Sequence, residues 1–85
     1  MEMEERNEWI VNYLKGKTVK ITDLEEFFTI ENNYKDIKKI KVENCIYKFI
    51  TDDYKYEVYV VPYTNTTTTY CVERVTYEEN AKQCV

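Results

Sequence analysis

Apolar residues near the start of the chain recur on one side of a helix. Met3, Ile10 and Leu14 fall at helical spacing, with Trp9 and Tyr13 adjoining them on one flank. This pattern predicts a first helix over residues 2–15. Its acidic first turn suits the positive end of a helix dipole, and Lys15 suits the negative end. Gly16, the sole glycine, follows where a left-handed cap is wanted. Residues 17–21 (K-T-V-K-I) alternate and are β-branched, which predicts a short strand or extended link. Thr22-Asp23-Leu24-Glu25 has the pattern of a capping box, so a second helix is expected from there to Ile30 or Glu31. It turns Leu24, Phe27 and Phe28 inward and stops before the turn-prone pair Asn32-Asn33. Residues 33–42 support two readings. Tyr34, Ile37 and Ile40 are spaced as in a helix, whereas Ile40 and Val42 alternate as in a strand.

From Cys45 the pattern has the period of a strand. A two-residue turn at Asp52-Asp53 folds residues 45–61 into a hairpin with Lys48 opposite Glu57 and Phe49 opposite Tyr56. One face then carries Cys45, Tyr47, Phe49, Tyr56, Val58 and Val60, and is the natural core side. The other carries Ile46, Lys48, Ile50, Lys55, Glu57 and Tyr59. Pro62 ends the pairing because it cannot donate to a ladder. A Thr-rich loop at 63–67 leads into a third strand over 68–77, whose inward face the alternation does not decide. A polar tail closes the chain. The expected fold is one α+β domain over residues 1–85, with two or three N-terminal helices packed on a three- to four-stranded antiparallel meander.

Composition narrows what such a domain can do. There is no histidine, one proline and no glycine-rich phosphate loop, so catalysis is not expected, nor is a cofactor or a metal. The cysteines (Cys45, Cys71, Cys84) lack C-x-x-C spacing and read as free thiols, or as a disulfide from Cys84 to Cys45 or Cys71. No apolar run approaches the ~18 residues of a membrane span, and the acidic N-terminus is unlike a secretory leader, so a cytoplasmic location is expected. There, Asn65-Thr66-Thr67 would not meet the glycosylation machinery it formally fits. The formal charge is −4, with an acidic front and rear around a basic segment at 32–50.

Seven of the nine tyrosines lie between Tyr47 and Tyr77, more than a small core needs. Tyrosine supplies contact area at low entropy cost, so the surplus points to a protein-binding face. The expected contact set is Glu4, Glu5, Glu8, Asp52, Asp53, Tyr54, Tyr59 and Tyr63. Its partner would be a protein or ribonucleoprotein complex, with self-association through the last strand a further reading. In small size, acidity and richness in Lys, Ile, Asn, Tyr and Glu, the chain resembles virus-encoded inhibitors of DNA-handling complexes, the anti-CRISPR proteins among them. That resemblance implies action in a host cytoplasm, with carboxylates imitating phosphate. The order W-I-V-N-Y-L-K-G-K-T-V-K-I-T-D-L-E-E-F-F-T-I, N-N-Y-K-D-I-K-K-I and the hairpin also resembles a winged helix-turn-helix domain. By that resemblance residues 33–41 are a recognition helix, and Asn33, Lys35, Lys38 and Lys39 meet duplex DNA.

Overall fold

The computed structural model describes residues 3–63 and 68–81. In chain order these form α1 (Met3–Leu14), β1 (Thr18–Lys20), α2 (Ile21–Glu31), β2 (Lys38–Glu43), β3 (Ile46–Ile50), β4 (Tyr54–Pro62) and β5 (Thr69–Glu79). The Asn65-Thr66-Thr67 motif and the Cys84 disulfide lie outside the described residues; among the described residues, Cys45 and Cys71 are not bonded to each other.

α1 buries Asn7, Ile10 and Leu14, leaving Met3 largely exposed. Gly16 ends it at φ +83°, a conformation that costs an L side chain dearly. The turn is tied to the sheet: Gly16 N–H donates to the Val72 carbonyl at 2.8 Å, and Val72 N–H donates to that of Lys17 at 2.8 Å. A Cβ at Gly16 would meet nothing within 4 Å, so Gly16→Ala pays only in backbone strain. A loss of about 1 kcal/mol in urea unfolding is expected. A neutral result would mean the turn relaxes freely.

α2 begins earlier than the Thr22-Asp23-Leu24-Glu25 pattern suggests. β1 runs directly into it, and Lys20, still extended, is the N-cap. Its backbone N–H donates to the Asp23 carboxylate at 3.0 Å, so Asp23 fills the back-capping role. Leu24 and Phe28 are buried, while Phe27 sits half-buried on the flank.

No third helix forms among the described residues. Asn32 caps α2, and Asn33 and Tyr34 then take φ +57° and +63°. Consecutive left-handed residues end a right-handed helix. The buried Asn32 side chain holds this turn: its amide donates to the Asp36 carbonyl at 3.2 Å and its oxygen accepts from Asp52 N–H at 3.1 Å. The chain continues as β2 on the sheet edge, so the winged-helix arrangement gives way and the sheet has five strands, not three or four.

Strand order is β1-β5-β4-β3-β2, every pairing antiparallel. The expected hairpin register holds, with Lys48 opposite Glu57 and Phe49 opposite Tyr56. β5 carries a bulge: Tyr59 pairs Arg74 but Val60 pairs Val72, leaving Glu73 as an extra residue. The bulge shifts the alternation, so Val72 and Val75, three apart, both enter the core. Both helices pack on this one face, where Ile10, Leu14, Leu24 and Phe28 meet Tyr47, Phe49, Tyr56, Val58 and Val60. Cys45, expected on the core side, instead lies half-buried in the turn before β3.

Candidate functional site

Four chain segments far apart in sequence meet at one end of the molecule. The first half of α1 brings Glu4 and Glu8; the end of α2 brings Glu31 and Asn32. The turn between β3 and β4 brings Asp52 and Asp53, and the last residues of β5 bring Tyr77, Glu78 and Glu79. Side chains hold these segments together. Tyr77 donates its hydroxyl to Glu8 at 2.8 Å, and Asn80 donates to the Thr51 and Asp52 carbonyls at 2.9 and 3.0 Å. Asn80 N–H also donates to the Asp53 carbonyl at 2.9 Å. Between α1, α2 and the turn lies a polar cleft of about 340 Å³, lined by Arg6, Glu31, Asn32, Lys35 and Asp52 among others.

Two of the cations at this end are engaged in ion pairs. Arg6 pairs with Glu31 and Lys35 with Asp52. The hydrogen bond from Lys35 holds the Asp52 carboxyl below the usual carboxylate range, and the same bond raises the Lys35 ammonium. The bond to Glu8 is the first cause of a raised Tyr77 hydroxyl. Carboxylates thus outnumber cations here. Among the described residues they do not converge on a point that could hold a metal ion, so they form a surface instead of a chelate.

Of the residues expected from sequence, Glu4, Glu8, Asp52 and Asp53 come together here. Tyr54 borders the group through ring contact with Tyr77 (6.0 Å), although it faces the core side. Glu5 lies further round α1 beside Trp9. Tyr59 and Tyr63 do not join them. Tyr59 is on the opposite sheet face, where Arg74 sits 3.9 Å over its ring, and Tyr63 follows the far end of β4. Tyr77 and Asn80 escaped the sequence reading, because only the folded register carries the end of β5 to α1.

The DNA-facing set is dispersed. Asn33 lies in the left-handed turn, Lys35 is paired with Asp52, and Lys39 is paired with Glu25 of α2. Lys38 stands at the start of edge strand β2.

A second exposed feature lies on the outer side of the helix layer. Trp9 and Tyr13, one turn apart on α1, stack with Phe27 of α2. Their centroids are 4.9 Å (Trp9 to Tyr13), 5.6 Å (Tyr13 to Phe27) and 6.4 Å (Trp9 to Phe27) apart. Trp9 keeps 45% of its surface in solvent and Tyr13 43%. A shallow depression lined by Glu4, Glu5, Glu8, Trp9 and Asn12 joins this stack to the acidic end. No described helix is long and apolar enough to cross a membrane. Comparison with protein-family models, curated proteins and solved structures gave no match, so the reading of this surface rests on its own chemistry.

Proposed function

We propose that the protein is a non-enzymatic binding protein whose acidic end engages a basic surface on a protein or ribonucleoprotein complex. Its most concrete form is inhibition of a nucleic-acid-handling complex by occupying the site that receives phosphate. One observation carries this reading. Carboxylates from four separate segments are gathered at one end, beside tyrosines, and Arg6 and Lys35 there are tied up in ion pairs, with Lys55 lying opposite Glu78 on the neighbouring strand. A surface serving only solubility intersperses both signs. A gathered field of one sign steers and orients an oppositely charged partner.

The test is capture from native host lysate with and without nuclease, followed by binding to the purified partner. A nuclease-resistant protein partner is expected. Its affinity should fall at least tenfold between about 50 and 300 mM salt, and by a similar factor for the Glu8→Lys, Asp53→Lys variant. Recovery that depends on nucleic acid, or affinity indifferent to that charge reversal, overturns the proposal.

A further inference from the structure

We propose that the Trp9–Tyr13–Phe27 stack, with the carboxylates of Glu5 and Glu8 beside it, is the docking face for an arginine-bearing basic segment of the partner. This rests on the reading of the acidic end as a binding surface, and it names the side chain that the neighbouring α1 face is built to take.

Preorganisation is the first argument. The three rings are nearly parallel, at 16°, 11° and 22° to one another. They are anchored from below: Phe27 meets the fully buried Phe28 edge-on at 5.2 Å. A partner therefore finds flat π surface already fixed in orientation, with little ordering left to do on binding. The chain buries Phe28, Phe49 and Leu24 completely, yet leaves its single tryptophan 45% exposed.

Charge then selects the occupant. The depression at Trp9 is walled by Glu4, Glu5, Glu8 and Asn12. A wholly apolar partner would strip water from these carboxylates without replacing its hydrogen bonds, and an acidic one would be repelled. A guanidinium satisfies both features at once, stacking its plane on the indole while its in-plane N–H groups reach carboxylate oxygens. The stack already holds a cation of its own: Lys17 Nζ lies 4.3 Å from the Tyr13 centroid. That lysine occupies the Tyr13 end, and Arg6 is paired with Glu31. The Trp9 end is where an incoming cation meets carboxylate.

Because the chain has one tryptophan, the site carries its own reporter. The full chain is titrated with a short oligo-arginine peptide while Trp9 emission is followed, and a labelled copy of the peptide is followed by anisotropy. A saturable emission change is expected, with oligo-arginine binding at least threefold tighter than oligo-lysine of equal charge at about 150 mM salt. Trp9→Leu should weaken the labelled peptide about tenfold, and Tyr13→Leu several-fold. Glu43→Gln, exposed at the end of β2 and outside both the stack and the acidic end, should change it less than about twofold. Unchanged urea midpoints for the exposed-ring variants separate lost contact from lost fold. Equal binding of the two peptides together with indifference to Trp9→Leu reduces the site to plain charge and overturns the inference, leaving the acidic-end reading intact. Absence of saturable binding also overturns it. Failure of the acidic-end reading is distinguishable, because it appears as a captured partner insensitive to Glu8→Lys, Asp53→Lys.

Discussion

Phe28→Ala is expected to remove about 3–5 kcal/mol, most of the stability that a domain of this size possesses. Phe28 is fully buried and joins the two layers of the fold. Its ring stacks on Phe49 of β3 at 5.0 Å and on Tyr56 of β4 at 4.8 Å, and meets Phe27 edge-on. Truncation to a methyl group leaves a void among rings held on three sides by sheet and helix. Such a site collapses poorly, so the cavity adds to the lost transfer energy. In thermal unfolding the midpoint should drop by roughly 15 °C or more. Phe28→Leu, which refills much of the volume, should lose only about 1–1.5 kcal/mol. The aromatic stack gives a second readout: Phe27 rests on Phe28, so the near-ultraviolet circular dichroism of Trp9 and Tyr13 should weaken in Phe28→Ala even where the chain stays folded. A loss under about 1.5 kcal/mol would show that α2 is not seated on the sheet through this ring.

Why the hairpin was readable from sequence and the rest of the sheet was not comes down to phase. Over residues 46–60 the period of two is unbroken, and one turn at Asp52-Asp53 sets which residues face each other. Parity alone even places Tyr54 with Tyr56 on the core side, which separates it from Tyr59. In β5 the extra residue at Glu73 shifts the phase, and no local pattern announces a bulge. For residues 33–42 both periods fit. The choice falls to tertiary terms: the left-handed pair Asn33-Tyr34, the grip of Asn32 on the neighbouring turn, and the edge that β3 offers to β2. The acidic end was legible residue by residue, since glutamates on an exposed helix side and aspartates in a turn are bound to reach solvent. Their convergence was not, because it depends on which strand ends lie beside α1.

Alkaline pH should unfold the protein through Tyr56. This side chain is 3% exposed, and its hydroxyl donates to the amide oxygen of Asn7, itself fully buried on α1. Burial pushes the hydroxyl up to about 12 from its ordinary 10.0, with the neighbouring Tyr54 and Glu31 acting in the same direction. Tyr47, by burial, and Tyr77, by its bond to Glu8, are also raised. The sign follows from proton binding. Between pH 10 and 12 the folded chain keeps a proton that the unfolded chain has released, so stability falls as pH rises. The contribution is whole below pH 10 and is lost on rising through about 12; a two-unit displacement corresponds to about 2–3 kcal/mol for Tyr56. Urea unfolding as a function of pH should therefore show a decline above pH 10, with tyrosine absorbance near 295 nm rising together with unfolding. Tyr56→Phe should flatten that decline. At neutral pH it should cost about 1–3 kcal/mol, because Asn7 Oδ1 is left dry, and Nδ2 of Asn7 has no hydrogen-bond partner among the described residues. Adding Asn7→Leu should recover part of the loss, since an apolar pair removes the unsatisfied amide altogether. Asn7 stands on α1 between Glu4 and Glu8, so this one buried bond also presses the acidic side of the helix against the sheet. An alkaline decline unchanged by Tyr56→Phe would assign it to other groups and leave the Asn7 contact without energetic weight.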